Sequence, residues 1–367
     1  MRVAIVHYWL VGMRGGEKVV EALCEMYPDA DIYTHVYDPA AISPTINRHR
    51  VYTTFISRLP WALRWYQRYL PLMPLALEQL DLRGYDLVIS SESGPAKGVL
   101  VSPGTLHICY CHTPMRYLWD MYHDYLADAG VVTRWAMRPI MHYLRIWDQL
   151  SAFRVDHFVA NSRYVARRIA KHYRREADVV HPPVSVEDFH ISDTIGDYYL
   201  MVGQLVAYKR TDIAVQAFNK MGRKLVIIGE GEQRDNLARM AGSNVSLMGR
   251  QPFAVIREHY ANCRALIFPG VEDFGIVPLE AMASGRPVIA YREGGALETV
   301  VEGSSGLFFS TQSAAALIDA VERYEARAGE FSPALIRAHA QGFQVSRFQR
   351  EMQSLIDRLM GEQNARE

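Results

Sequence analysis

The chain has 367 residues, 49% hydrophobic and 22% charged, a composition typical of globular proteins and a length that predicts two domains. Forty basic and forty acidic side chains leave no net charge, which argues against a general nucleic-acid binder, because such proteins carry a basic excess. No apolar run is long enough to span a bilayer, so any membrane association is expected to be peripheral.

The first half alternates short apolar runs with helical patterns, which predicts a parallel α/β domain over residues 1–182. Continuous apolar character in these runs suits strands that are covered on both faces. A glycine-rich loop, Gly12 to Lys18, follows the first run. The predicted strands cover residues 3–7, 32–35, 86–90, 107–110, 157–160 and 179–181.

Cysteine and aspartate pairs in this half raise the question of a metal. Four cysteines in the whole chain form no disulfide framework at this length and favour a reducing, cytoplasmic compartment. Cys109 and Cys111 precede His112, but no second Cys/His pair occurs at zinc-ligand spacing, so we expect two thiols on a buried strand. Asp29 and Asp31 follow Tyr-Pro and precede a strand, which is typical of a turn rather than a metal clamp.

Two stretches of the first half are basic. Residues 39–77 contain five arginines and no acid, and residues 131–175 contain ten basic residues against two acidic ones. A predicted helix over 60–70 places aromatic residues on one stripe with arginines beside it, which fits an anionic membrane interface. A separate apolar face fits equally well a helix packed on its own domain, and the run 163–175 can be a solvated helix face. The stripe is Trp61, Trp65 and Tyr69 with Arg64 and Arg68, and the packing face is Leu63, Tyr66 and Leu70.

The second half repeats the α/β rhythm after a predicted linker that runs from Pro182-Pro183 to Gly196. Four of its five apolar runs end in glycine. Such glycines let backbone approach a ligand at the carboxyl ends of strands, although turn punctuation is an equal alternative for any single one. The predicted strands cover residues 198–203, 224–229, 244–249, 265–270 and 287–291.

Residues 271–290, VEDFGIVPLEAMASGRPVIA, predict a short helix bracketed by Pro278 and Gly285. Its first N–H groups form an anion site that suits a phosphate. Glu272 and Glu280 can then face one small volume and accept hydrogen bonds from adjacent sugar hydroxyls. The alternative for each is a solvated carboxylate. Further on, residues 343–361 predict an amphipathic helix that can reach back to the first domain.

The 272–280 stretch resembles the E-x7-E motif of retaining glycosyltransferases of the GT-B fold, in the large fourth family that includes bacterial mannosyltransferases. This resemblance implies two Rossmann-like domains facing each other across a cleft: an acceptor domain, 1–182, and a donor domain, 196–344. A C-terminal helix within 345–367 would cross back to the first domain. Further matching segments are the loop 12–18, CHTP at 111–114, VANSRYVARRI at 159–169, GQLVAYKRTDIAVQAF at 203–218, IIGEG at 227–231 and GGALETV at 294–300.

The resemblance also assigns roles. Glu272 and His112 would contact the transferred sugar, Glu280 the ribose, and Lys209 the donor diphosphate. Gln204 occupies the position of a family arginine and brings no charge, so neutralisation would rest on Lys209, helped by Arg210 and the helix end. The catalytic residues implied are His112, Glu272 and Lys209. The donor-binding residues implied are Gly15, Gly16, Gly203, Gln204, Lys209, Arg210, Gly229, Arg250, Phe274, Gly275, Ile276, Val277 and Glu280.

No nucleophile and base suited to double displacement stand out. The resemblance implies instead a same-face substitution in which the leaving diphosphate takes the acceptor proton, with no metal and no cofactor. CHTPMRYLWD at 111–120 and AYKRTD at 207–212 look most like bacterial enzymes that transfer mannose from GDP-mannose in surface-polysaccharide synthesis. The acceptor expected is a saccharide, lipid-diphosphate-linked, at the inner face of the cytoplasmic membrane.

Other functions fit the same architecture. A glycosyltransferase that uses a UDP-sugar, a nucleotide-sugar epimerase, a phosphorylase with lysine-bound pyridoxal phosphate and a non-catalytic nucleotide-sugar-binding subunit are the alternatives. A dinucleotide dehydrogenase is disfavoured, because VHYWLVGMRGGEK at 6–18 lacks the G-x-G-x-x-G spacing.

Overall fold

A computed structural model describes residues 1–128 and 130–365. The chain forms two compact units. The first comprises residues 1–183 together with the chain from Phe348 onward, and the second comprises Val184–Arg347.

The first unit contains a seven-stranded parallel sheet in the order β3-β2-β1-β4-β5-β6-β7. Helices connect the successive strands except β4 and β5, which are joined by a loop. The strands are β1 (Val3–His7), β2 (Asp31–Thr34), β3 (Val51–Thr53), β4 (Leu87–Glu92), β5 (Leu106–Cys111), β6 (His157–Ala160) and β7 (Ala177–Val179). The helices are α1 (Gly15–Met26), α2 (Pro44–Asn47), α3 (Ala62–Trp65), α4 (Met73–Glu78), α5 (Tyr122–Asp128), α6 (Val131–Ser151) and α7 (Arg163–Tyr173).

The second unit contains a six-stranded parallel sheet in the order β10-β9-β8-β11-β12-β13. Its strands are β8 (Tyr199–Val202), β9 (Leu225–Ile228), β10 (Val245–Leu247), β11 (Leu266–Phe268), β12 (Val288–Tyr291) and β13 (Gly306–Phe309). Its helices are α8 (Thr211–Met221), α9 (Arg234–Met240), α10 (Phe253–Asn262), α11 (Ile276–Ala283), α12 (Ala296–Thr299), α13 (Ala314–Ala326) and α14 (Pro333–Gln341).

Both sheets have the doubly wound strand order, which confirms the predicted fold class. The order reverses between β1 and β4 in the first unit and between β8 and β11 in the second. Ligands of open α/β sheets bind beyond the carboxyl ends of the strands at such a reversal. The fold therefore marks one candidate position in each unit.

Each predicted apolar run overlaps a strand of the structure. The bounds of one strand differ from the prediction, and two strands were not predicted. The edge strand β7 covers Ala177–Val179, two residues before the predicted run 179–181. β3 was missed because two of its three residues are exposed, so it lacks an apolar run. β13 was also missed: its segment GLFF begins with a glycine and follows the polar turn EGSS.

The predicted linker is in part a core segment. Val184, Val186 and Phe189 are buried against the second unit's sheet and helices. The N–H of Val184 donates to the carbonyl of Phe343, 2.9 Å away. The polar composition of residues 183–196 concealed these three apolar contacts.

The segment 60–70 is not one regular helix. α3 begins after Trp61, which adopts a left-handed conformation with φ of 49°, and a 3-10 turn covers Tyr66–Leu72 with Pro71 inside it. Leu63, predicted on the packing face, is 51% exposed. Tyr66 and Leu70 do pack against the buried side chains beneath them.

The C-terminal helix α15 (Val345–Asn364) packs on the first unit, as predicted. The Phe348 ring lies edge-on to Tyr110 with 5.6 Å between centroids, and Gln349 donates to the Glu25 carboxylate at 2.8 Å. The buried face consists of Phe348, Met352, Leu355, Ile356 and Leu359. All four cysteines are free and buried, two of them on β5. Within the described ranges, no helix combines the length and apolarity needed to cross a membrane.

Candidate functional site

The second unit brings Lys209 and Glu272 together at the strand-order reversal. Lys209 ends a 3-10 turn that follows β8, and Glu272 lies in the loop after β11. The Lys209 Nζ is 2.8 Å from the Glu272 Oε1, and the side chains are 14% and 19% exposed. An ammonium group carries three N–H donors, so Lys209 can hold Glu272 and an anionic ligand together.

Backbone contacts hold both loops at this position. The N–H of Gly295 donates to the carbonyl of Glu272 at 2.8 Å. Gly229 lies against Gly203 so closely that a Cβ on Gly229 would come within 1.8 Å of the Gly203 carbonyl oxygen. Gly203 and Gly229 therefore pack loop against loop, and a Cβ on Gly203 would lie 2.9 Å from the Lys209 Nζ. The Gly294-Gly295 pair was not predicted as part of the site, although paired glycines after a strand are a signal for it.

α11 begins beside Glu272, where the sequence predicts a short helix. Gly275 caps it in a left-handed conformation with φ of 89°, and no side chain of the described residues caps this end. The first amide groups of the helix carry partial positive charge and are available to an anion. Phe274 and Gly275 are buried, and Ile276 and Val277 are half-buried.

Glu280 is held by Tyr260, which was not among the predicted site residues. The hydroxyl of Tyr260, fully buried on α10, donates to the Glu280 Oε2 at 2.7 Å. Burial raises the pKa of Tyr260 well above its usual range, and the charges of Glu280 and Glu272 add to the effect. Tyr260 therefore fixes the position of the Glu280 carboxylate. No local sequence pattern links Tyr260 to a glutamate twenty positions away.

The remaining candidates of this unit differ in exposure and in hydrogen-bond partners. Gln204 is exposed. Arg210 holds Asp212 through two hydrogen bonds of 3.1 Å, so its charge is shared with a carboxylate. Arg250 is exposed after β10. Lys209 thus supplies the cation closest to Glu272 among these candidates.

The first unit brings His112 close to the glycine-rich loop. Gly15 and Gly16 are the first residues of α1, and His112 follows β5. A Cβ on Gly16 would come within 2.8 Å of the Tyr8 hydroxyl and 3.6 Å of the His112 Nε2. The end of α1 and the histidine therefore border the same region at the strand-order reversal of this sheet.

His112 is fixed by side-chain and backbone hydrogen bonds. Its Nε2 lies 2.8 Å from the Ser91 Oγ. Its N–H donates to the Glu92 carbonyl at 2.7 Å, and its carbonyl accepts from the Asn161 Nδ2 at 2.9 Å. Burial, and secondarily His7, lowers the pKa of His112 to about 3. The ring is therefore neutral near pH 7.

A buried ionic cluster supports the strand that carries Ser91. The Lys97 Nζ lies 3.1 Å from the Glu92 Oε1 and also contacts the Asp148 carboxylate, and all three side chains are fully buried. Burial raises the pKa of Glu92, while Lys97 and two backbone N–H groups oppose that change. The cluster ties the end of β4 to α6. Its members span residues 92–148, and no local sequence pattern links them.

Asp31 of the Asp29 and Asp31 pair has protein partners. Its carboxylate lies 3.0 Å from the Arg50 Nε and accepts a hydrogen bond from the Tyr85 hydroxyl. Asp29 lies in the turn between α1 and β2. In residues 1–128 and 130–365, no three His, Cys, Asp or Glu side chains cluster in a way that could hold a metal ion.

Two families of known sequences match successive parts of the chain. Residues 13–188 match "Glycosyltransferase Family 4", and residues 188–338 match "Glycosyl transferases group 1". The chain is 25% identical over 275 residues to the alpha-1,3/1,6-mannosyltransferase alg2 of Schizosaccharomyces pombe, covering 60% of this chain and 52% of the relative. It is 30% identical over 177 residues to a GDP-mannose-dependent alpha-(1-6)-phosphatidylinositol monomannoside mannosyltransferase of Mycolicibacterium smegmatis, covering 40% and 46%. The chain spans about half the length of the curated relatives it matches.

Solved structures share the fold over nearly the whole chain. Anabaena Alr3699/HepE, in complex with UDP and glucose, has a TM-score of 0.72 at 16% identity, covering 97% of this chain and 99% of that one. WaaG, a glycosyltransferase involved in lipopolysaccharide biosynthesis, has a TM-score of 0.68 at 16% identity, covering 96% and 99%. These similarities show the GT-B fold.

Proposed function

Because the chain belongs to the family 4-like glycosyltransferases of the GT-B fold, we propose that it transfers a hexose from a nucleoside diphosphate sugar to a saccharide acceptor. The observation that carries this proposal is the Lys209–Glu272 ion pair of 2.8 Å beside the amino end of α11. A cation and a row of amide N–H groups suit a diphosphate, and nearby carboxylates suit sugar hydroxyls.

In the proposed reaction, the configuration at the transferred carbon is retained and no metal takes part. Lys209 and the amides of Gly275, Ile276 and Val277 stabilise charge that builds on the departing diphosphate. Glu272 and His112 orient the sugar, and Glu280 binds the ribose. The leaving diphosphate removes the proton from the acceptor hydroxyl, so the protein contributes position and electrostatics rather than a covalent intermediate.

The proposed donor is GDP-mannose. The two mannosyltransferase relatives support mannose, and one of them is described as GDP-mannose-dependent. A UDP-sugar is the second candidate, because a structure of the same fold holds UDP and glucose. The proposed acceptor is a saccharide on a lipid diphosphate in bacterial surface-polysaccharide synthesis. The structural relative described as involved in lipopolysaccharide biosynthesis supports that setting.

Contact with the inner face of the cytoplasmic membrane belongs to this proposal. Trp61 is 65% exposed, with exposed Arg64 and Arg68 in the same segment. α6 adds an exposed apolar stripe, whose positions are spaced by three, four or eight residues and face away from its buried side. The stripe comprises Val132, Trp135, Tyr143, Ile146 and Leu150, with Phe153 in the following turn. α7, which contacts α6 through Tyr173 and Asp148, exposes Arg163, Arg167 and Lys171.

A thermal-stability screen with GDP, UDP and their sugars tests the proposal first, because a ligand of the folded state raises its stability. We expect one nucleoside diphosphate to raise the Tm and its sugar to be consumed only when an acceptor is present. Conversion without an acceptor would indicate an epimerase, and absorbance from bound pyridoxal phosphate would indicate a phosphorylase. Binding without turnover would indicate a binding subunit. If no nucleoside diphosphate stabilises the protein, the proposal is wrong.

A further inference from the structure

His112 begins a series of four side chains that ends at a buried carboxylate. The Ser91 Oγ is 2.8 Å from the His112 Nε2 and 3.0 Å from the His7 Nδ1. The His7 Nε2 faces the Glu17 Oε1 across 3.8 Å. His7, Ser91 and Glu17 are 0%, 0% and 2% exposed. The series joins β1, α1, β4 and the end of β5.

The serine hydroxyl has one hydrogen and two imidazole neighbours, so it can donate to only one of them. The direction of that donation fixes the proton of each ring. If Ser91 donates to the His7 Nδ1, then the His112 Nε2 must carry a hydrogen and donate to Ser91. If Ser91 donates to the His112 Nε2, then the His7 Nδ1 must carry the hydrogen.

Glu17 decides between these arrangements. A hydrogen on the His7 Nε2 faces the carboxylate and is attracted to it, whereas a lone pair there is repelled. A neutral imidazole also costs less to bury than an imidazolium ion, and at 3.8 Å the carboxylate is too distant for a hydrogen bond. His7 therefore holds its single hydrogen on Nε2 and leaves Nδ1 as the acceptor for Ser91.

We propose that Glu17, His7 and Ser91 are positioning residues that fix His112 as the tautomer with its hydrogen on Nε2, which leaves the His112 Nδ1 as a hydrogen-bond acceptor. In this tautomer His112 accepts a hydrogen bond from a hydroxyl of the sugar or of the acceptor. The opposite tautomer would donate a hydrogen bond instead, which suits a phosphate oxygen. The inference thus specifies the chemistry of His112 and rests on the proposed function for its role in transfer.

The tautomer is measured directly by long-range proton–nitrogen NMR of the full chain labelled at its histidines, because protonated and bare ring nitrogens have different nitrogen shifts. The His112→Ala spectrum assigns the signal. We expect a bare Nδ1 and a protonated Nε2 in the unliganded wild type at pH 7. A protonated Nδ1 with a bare Nε2 on His112 would overturn the proposal, because Ser91 would then donate to His112.

Ser91→Ala removes the bridge and should give a mixture of both His112 tautomers. Ser90→Ala is the matched control, because Ser90 is the neighbouring buried serine on β4 and pairs with another histidine, His107, at 2.9 Å. It should leave the His112 signal unchanged. Glu17→Gln removes the charge and keeps the side-chain size, so it provides a second test if Ser91→Ala does not fold. An unchanged His112 tautomer in both folded variants would overturn the proposal.

Kinetics give a separate readout. With the donor that stabilises the protein, Ser91→Ala should lower kcat by about 10- to 100-fold with little change in KM, because a misoriented group at the reacting centre costs up to about 100-fold. Ser90→Ala should retain wild-type kcat. If the protein transfers no sugar at all, the proposed function fails while the tautomer remains measurable, so the two failures are distinguishable.

Discussion

At the scale of residues, Lys209 and Glu272 are charged side chains in a largely buried place, where either charge would be unfavourable without the other. Each is less than one-fifth exposed, and each neutralises the other across 2.8 Å. Removing one partner leaves an uncompensated charge in a largely desolvated place. The ion pair fixes the position of the Lys209 ammonium group before a ligand binds. A bound diphosphate would then place its negative charge beside that preorganised group.

Lys209→Ala should lower kcat/KM by about 10²- to 10³-fold, the usual effect of removing one preorganised donor from a developing charge. The circular dichroism spectrum should remain that of the wild type. Lys220→Ala is the control, because Lys220 is exposed at the last turn of α8. Equal activity in the two variants would show that Lys209 does not contribute to the reaction.

Tyr260→Phe deletes the hydroxyl that donates to Glu280 at 2.7 Å while keeping the buried ring. We expect the Kd of the preferred nucleoside diphosphate, measured by titration calorimetry, to rise by up to about tenfold, since such a hydrogen bond contributes ~0.5–1.5 kcal/mol. Tyr324→Phe loses a hydroxyl that donates to the Arg264 carbonyl and serves as control. An unchanged Kd in Tyr260→Phe would argue against Glu280 as the ribose ligand.

His107 should make stability depend on pH. Burial lowers its pKa to about 4, so the folded state keeps a neutral ring while the unfolded state gains a proton as the pH falls below about 6.5. Its contribution is therefore fully present at pH 7 and is lost as the pH falls from about 6.5 to 4, by up to ~1.4 kcal/mol per unit. Urea unfolding of the wild type and His107→Gln across this range measures it. Parallel pH profiles for the two proteins would contradict the prediction.

At the scale of elements, most strands could be predicted from the sequence, but the side-chain contacts between helices could not. The central strands β4 and β5 are buried along their whole length, and each contains a short apolar run, 87–89 and 108–110, that the sequence shows. The edge strand β3 lacks that signal because solvent covers it. α11 was predicted from Pro278 and Gly285, since backbone preferences at helix ends are local. The ring of Tyr260 reaches Glu280 only through packing of α10 against α11, which no local pattern encodes.

The exposed apolar stripe of α6 is expected to contact the membrane. Leu150→Glu, on its exposed apolar stripe, should weaken sedimentation with vesicles containing phosphatidylglycerol by about tenfold or more, because burial of a large apolar side chain contributes ~1.5–3 kcal/mol. Leu335→Glu is the control, since Leu335 is 67% exposed on α14 of the other unit and Leu150 is 57% exposed. Wild-type protein that stays off anionic vesicles at low salt would contradict membrane contact.

At the scale of the whole molecule, the two sheets share one strand order over six strands, and the candidate residues lie at equivalent positions in that order. The residues after β1 and β5 in the first unit, and those after β8 and β11 in the second, lie at carboxyl ends of central strands. This repetition was predictable from the renewed α/β rhythm after residue 183. The polar partners of His112 were not, because His7, Ser91 and Glu17 lie on three separate elements, and none has a distinctive sequence neighbourhood.

Donor binding at Lys209 and α11 is tested by a crystal structure of the full chain with GDP or UDP, chosen by the stability screen. We predict the diphosphate within hydrogen-bond distance of the Lys209 Nζ and of the first amides of α11, with the ribose hydroxyls on the Glu280 carboxylate. A nucleotide bound elsewhere, or one whose diphosphate lies apart from both Lys209 and the α11 amides, would contradict the account.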